Sequence, residues 1–159
     1  MFKIYTNSPK QTGLVAQSLA NLIKDDLIIC LEGDLGAGKT LFTQNFCKAL
    51  NVKETVTSPT FNLMNVYEGD KRIYHFDLYR LENEEDLEEI GFYEYSDVDD
   101  EVVLIEWPDR FFACMPEDYL HIKIERAENE QSRILTIDIK GNKYTSIYEE
   151  LKNSANISD

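Results

Sequence analysis

Residues 33–40 read Gly-Asp-Leu-Gly-Ala-Gly-Lys-Thr, between the apolar run "LIICLE" and a stretch of helical periodicity. This fits G-x-x-x-x-G-K-[ST] in a strand–loop–helix setting. Glycines let the backbone curl so that its N–H groups approach an anion. The following helix N-terminus adds partial positive charge. Lys39 has the reach for β- and γ-phosphates, and the Thr40 hydroxyl is a candidate magnesium ligand. Gly33, Asp34, Leu35, Gly36, Ala37, Gly38, Lys39 and Thr40 therefore form a candidate phosphate loop, and the expected ligand is a nucleoside triphosphate with Mg²⁺. No N-K-x-D guanine motif occurs, which favours adenine.

Phosphoryl chemistry also needs a carboxylate near the metal, commonly at the end of a neighbouring strand. "VVLIE" supplies Glu106 there. It is a candidate to bind the metal, to hold a metal-bound water or to orient the attacking water; the plainer alternative is a surface carboxylate. Trp107 follows, either as a core aromatic or as a wall of the site. Asp77 in "YHFDLYR" stands at the exit of a second candidate strand, as a further phosphate-side acid or as a turn residue. His75 reads as structural. "SPTF" places Ser58 and Thr60 in a loop where hydroxyls can sense a γ-phosphate and its metal, or where a proline turn makes local hydrogen bonds.

The elements that must carry these groups follow from pattern. "FKIYT" alternates as a strand. Ser8 then Pro9 starts a helix that periodicity extends to about Lys24. "LIICLE" is a strand apolar on both faces, and a helix runs from about Lys39 to Leu50. "NLMNVYEGDKRIYHFDLYRL" reads as a hairpin. Asn83 caps a short acidic helix that Gly91 ends. "EVVLIEW" is another buried strand, "YLHIKIERA" and "RILTIDIKG" form a second hairpin, and "KYTSIYEELKN" is a helix with a frayed tail from about residue 154. The expected fold is α/β of the P-loop NTPase class, one domain over residues 1–159. Its mostly parallel central sheet carries antiparallel hairpin additions and flanking helices.

Composition narrows the function. At 43 % hydrophobic the chain can bury a core, and its net charge of -14 argues against a large nucleic-acid footprint. No apolar run reaches about 18 residues, so no membrane span is expected. Three widely spaced cysteines indicate neither a disulfide framework nor a zinc site, which suggests a reduced, cytoplasmic protein. Residues 82–101 hold 11 acidic residues and no basic one. They form a solvated face or a docking surface for a basic partner.

Taken together and in order, "GDLGAGKT", "SPTF", "YHFDLYRL" and "LIEWPDR" resemble the bacterial TsaE family over nearly the whole chain. "SPKQT" near the start and the "IKIERAENEQSRILTIDIKGNKY" tail add to the likeness. The resemblance implies a small ATPase needed to make threonylcarbamoyladenosine in tRNAs that read codons beginning with A. It implies ATP and Mg²⁺ as cofactors and docking on a TsaD–TsaB pair that performs the transfer. Contact with tRNA would be only indirect, and activity alone weak. Carried over by residue, it implies nucleotide contacts from Gly33 through Thr40 and on to Leu41, with further contacts at Thr12 and Arg133. It assigns metal ligation to Thr40 and Glu106, and catalysis to Lys39, Asp77 and Glu106. Leu41 replaces a second threonine that is common after "GKT", and Phe61 stands where many relatives carry tyrosine.

Two other classes share the loop. A small-molecule kinase would need an acceptor pocket and commonly arginines closing over phosphates; the five arginines here form no arginine-rich lid segment. A nucleotide-dependent switch or adaptor would bind without turnover, which Glu106 and Asp77 argue against.

Overall fold

The apolar run at Leu27–Glu32 becomes β2, the middle strand of the sheet, with Leu27 to Leu31 all buried. A strand flanked on both sides has no solvent-facing side to signal by alternation, which is why the run is continuous. The computed structural model describes residues 1–59, 63–95 and 98–155. Within them β1 is Phe2–Thr6, β3 Met64–Glu68, β4 Arg72–Asp77, β5 Val102–Glu106, β6 Tyr119–Arg126 and β7 Arg133–Lys140. The described residues form one seven-stranded sheet in the order β1-β7-β6-β2-β5-β4-β3. β2 runs parallel to β5 and β6, and β4 parallel to β5. The β3–β4 and β6–β7 hairpins and β1 on β7 are antiparallel. This is the mixed α/β sheet expected, a parallel centre with hairpins at both sides.

Helix α1 (Pro9–Asn21) starts as read, with Ser8 Oγ accepting from Gln11 N. It stops three residues before Lys24, because Leu22 and Ile23 tighten into i→i+3 bonds to Leu19 and Ala20. Helix α2 (Lys39–Ala49) buries Phe42 and Phe46 completely. Burial of each such ring contributes about 1.5–3 kcal/mol. Helix α3 (Glu84–Glu89) has a full capping box between Asn83 and Asp86. Gly91, at φ 74, ends that turn, but a further short helix α4 (Phe92–Tyr95) follows, which the sequence reading missed. Its aromatics suit strands as well as helices, and here they pack on Phe76 and Tyr74 instead. Helix α5 (Thr145–Ala155) continues through Ser154, whose hydroxyl bonds Glu150 O; the rest of the expected frayed tail lies outside the described residues.

The parallel strands place their C-terminal ends together. Glu32, Asp77, Glu106 and Arg126 are the last residues of β2, β4, β5 and β6. Ligands of open α/β sheets bind at that edge. Among the described residues no helix is long and apolar enough to cross a membrane.

Candidate functional site

Between β2 and α2 the chain makes its turn with backbone that only glycine tolerates easily. Gly38 has φ 114 and caps α2 with no side-chain bond, so the first-turn N–H groups of the helix carry no capping side chain. A Cβ on Gly33 would lie 2.8 Å from the Ile124 carbonyl of β6, so the loop hugs the sheet edge only because that side chain is missing. Leu35, at the loop tip, is 70 % exposed.

Lys39, the first residue of α2, is 6 % exposed. Its amine hydrogen-bonds the Gly33 carbonyl and lies 3.4 Å from the centroid of the Trp107 ring. Burial pushes its pKa below the usual lysine value, opposed by the carboxylates of Glu106, Asp77, Asp109 and Asp34. Trp107 is therefore a wall of this site. It also stacks on Tyr79, with centroids 4.7 Å apart, and holds φ 57, a strained conformation for a bulky residue.

Asp77 and Glu106 are register partners at the ends of β4 and β5. Burial raises the Asp77 pKa; the Tyr79 N–H bonded to Oδ1 at 3.0 Å opposes that, and the Glu106 charge adds to it. Glu106 is 2 % exposed and lies 2.5 Å from Nε2 of His75, itself 1 % exposed. It is not a surface carboxylate. Thr40 Oγ1 is 3.1 Å from Ser58 Oγ, so the loop after α2 reaches the candidate metal side. Thr60 and Phe61 lie outside the described residues.

Two arginines brace the loop from the β6–β7 hairpin, where Arg126 and Arg133 are paired. Arg133 Nε donates to Ala37 O at 2.7 Å, and Arg126 Nη2 reaches Gly36 O at 3.4 Å. Arg133 Nη1 also donates to Glu130 O at 2.6 Å, within its own hairpin turn. A cavity of about 580 Å³ runs along the β6 flank of the loop, lined by Gly33, Asp34, Ala37, Asp109, Lys123 and Arg126 among others. Thr12 is 1 % exposed, its hydroxyl 2.6 Å from that of Thr6, so its side chain has little surface to offer a ligand. Leu41 is half-buried in the first turn of α2.

These groups can accommodate a metal–triphosphate pair. The carboxylates of Glu106, Asp77, Asp109 and Asp34 act on the buried Lys39 amine, and a bound cation would offset their charge beside a triphosphate. No cluster of three or more acidic, histidine or cysteine side chains able to hold a metal alone occurs among the described residues. A magnesium ion sharing one hydroxyl, one or two carboxylates and phosphate oxygens suits that donor set.

The acidic stretch is less uniform than its sequence suggests. Asp100 pairs with Lys71, while Glu101 accepts from Tyr74 at 2.9 Å and faces Arg72 at 3.9 Å. Its last two carboxylates therefore have counter-ions, Lys71 in the β3–β4 turn and Arg72 at the start of β4. Glu84, Glu85, Glu88 and Glu89 of α3 are exposed.

Sequence reasoning missed His75 as a partner of Glu106, and it missed Arg126, Asp109 and Tyr67. The available signal for His75 was its period-two spacing from Asp77, which puts both on one face of β4.

Comparison with known proteins gives a consistent result. A family model described as "Threonylcarbamoyl adenosine biosynthesis protein TsaE" matches residues 6–135. The tRNA threonylcarbamoyladenosine biosynthesis protein TsaE of Bacillus subtilis is 38 % identical over 155 residues, covering 97 % of this chain and 96 % of that protein. Its counterpart in Rickettsia conorii is 34 % identical over 152 residues, covering 93 % and 86 %. The crystal structure of Bacillus subtilis YdiB superposes with a TM-score of 0.78 at 33 % identity, covering 96 % of this chain and 95 % of that one.

Proposed function

This chain belongs to the TsaE family of threonylcarbamoyl adenosine biosynthesis proteins, and on that premise we propose that it is a Mg²⁺-dependent ATPase supporting the tRNA modification in the cytoplasm. In this reading it works with a TsaD–TsaB-type complex, which transfers the threonylcarbamoyl group, and it meets tRNA only through that complex. The observation that carries the ATPase reading is the register pairing of Asp77 with Glu106 beside the Lys39 amine, at the mouth of a glycine loop that opens a helix.

Each residue has a role that its surroundings support. The loop N–H groups and Lys39 hold the β- and γ-phosphates, with Lys39 giving up its bond to Gly33 O. Thr40 and Glu106 are the groups that would hold magnesium, which when bound neutralises charge on the phosphate oxygens. Asp77, with its pKa raised by burial, orients the attacking water, taking hydrogen bonds at Oδ2 while Oδ1 stays on Tyr79 N. Arg126 and Arg133 keep the loop in shape by bonding its outer carbonyls. The cavity beside the loop has room for the nucleoside, given that small-molecule sites are commonly about 300–1,000 Å³.

The test is steady-state phosphate release with ATP or GTP, with magnesium or a chelator, and with a panel of nucleoside acceptors. Hydrolysis that needs ATP and magnesium, with no phosphorylated acceptor, supports the reading. Phosphate appearing on an acceptor would make the chain a kinase, and tight binding without release would make it an adaptor.

A further inference from the structure

The carboxylate of Glu106 is buried on the face of the sheet that also carries His75 and Tyr67. Register explains the grouping. Asp77 stands opposite Glu106, His75 opposite Leu104, and Asn65 opposite His75. Positions two apart on a strand share a face, so Tyr67, His75 and Glu106 form a diagonal line across β3, β4 and β5.

An ionised carboxylate can only accept, so the bond to Glu106 Oε2 in that form needs the proton on His75 Nε2. The other ring nitrogen, Nδ1, is 3.5 Å from the Tyr67 hydroxyl. That hydroxyl has one proton, which it donates to the Thr57 carbonyl at 2.9 Å, and it accepts from Asn65 Nδ2 at 3.1 Å, so it meets Nδ1 as a packing contact. Thr57 adjoins Ser58, whose hydroxyl faces Thr40.

Resting on the ATPase reading, we infer that His75 is a positioning residue that holds the Glu106 carboxylate in one orientation, its ring packed against Tyr67, whose hydroxyl is bonded to the loop segment facing Thr40. An apolar residue at position 75 would fill the same space but leave a buried carboxylate without its donor and free to swing away.

The experiment compares His75→Leu, His75→Gln and Tyr67→Phe with the parent chain. Glutamine can present an N–H to Glu106; leucine cannot. In the parent, without nucleotide or metal, long-range proton–nitrogen NMR of the two histidines should show His75 protonated at Nε2. A proton found only at Nδ1 would overturn the proposal. In ATP hydrolysis, His75→Leu should lower kcat about 10- to 100-fold with KM for Mg-ATP nearly unchanged. His75→Gln should recover most of that loss, and Tyr67→Phe should lower kcat by a smaller factor. Equal losses in the leucine and glutamine variants that follow their melting temperatures would show mere packing and overturn the proposal. If His75→Leu does not fold, the parent tautomer decides: a proton at Nε2 supports the proposal, and one found only at Nδ1 overturns it. A parent chain that hydrolyses no ATP under any condition would instead overturn the ATPase reading, and the tautomer then judges the His75–Glu106 bond by itself.

Discussion

Asp77 and Glu106 stand opposite each other in parallel register, and both act on the same cation, the buried amine of Lys39. Two carboxylates brought together at a strand edge repel, and burial disfavours the charge on each. The Asp77 pKa is raised for these reasons, burial first. The site therefore holds charge at a cost to the fold, as functional sites commonly do.

Asp77→Asn should stabilise the chain while slowing hydrolysis. The folded pKa of Asp77 lies above its ordinary 3.8, so folded protein binds more protons than unfolded protein between those two values. Stability from this group falls as pH rises through that window, and the cost stays in place at neutral pH. Asparagine keeps the Oδ1 acceptor for Tyr79 N and drops the charge. Melting at pH 7 should rise by roughly 1–4 °C, with a smaller gain at pH 4. Calorimetry at both values checks it, and a lower melting temperature at pH 7 would count against the charge assignment.

Lys39→Met should separate binding from folding. Methionine keeps the aliphatic packing against Trp107 and removes the phosphate counter-charge. Affinity for Mg-ATP should fall about 10- to 100-fold, the size of a lost bond to a charged group. Thr40→Ala should reduce the gain in affinity that magnesium gives. Trp107 is the chain's single tryptophan and sits over the Lys39 amine, so its fluorescence should change on nucleotide addition in the parent and much less in Lys39→Met. Titration calorimetry gives the affinities independently.

Much of this was legible in the sequence, for reasons that differ by element. The phosphate loop is local: its glycines, lysine and threonine lie within one turn, and spacing alone defines them. β2 and β5 announced themselves by continuous apolar runs, and Asn83 with Asp86 by cap chemistry. The pairing of Asp77 with Glu106 was not legible as a contact, because parallel register is fixed by long-range packing that no periodicity encodes. His75 read as structural since an inward position on a strand says nothing about its partner, and Arg126 escaped notice because its role depends on hairpin register with Arg133. Asp100 and Glu101 looked uncompensated in one dimension, yet the β3–β4 turn brings Lys71 and Arg72 to them.

The four exposed glutamates of α3 should matter for partner docking and not for nucleotide. Replacing Glu84, Glu85, Glu88 and Glu89 by glutamine removes like charges from one short helix. Affinity for a TsaD–TsaB-type pair should drop several-fold at low salt and its salt dependence should flatten, while Mg-ATP affinity stays at the parent value. Binding measured across salt concentrations checks this. Unchanged affinity and slope would make α3 a solvated face.

Multiple-turnover reconstitution tests the central claim most directly. Threonylcarbamoyladenosine formed per TsaD–TsaB complex is counted with a TsaC-type enzyme, tRNA and Mg-ATP, in the presence of the parent chain, of Glu106→Gln, or of neither. The account predicts repeated turnovers with the parent. With Glu106→Gln, which keeps the side-chain shape and loses the charge, it predicts about one turnover and ATP hydrolysis slowed about 100-fold or more. Equal turnover in all three reactions, or full support from Glu106→Gln, would contradict it.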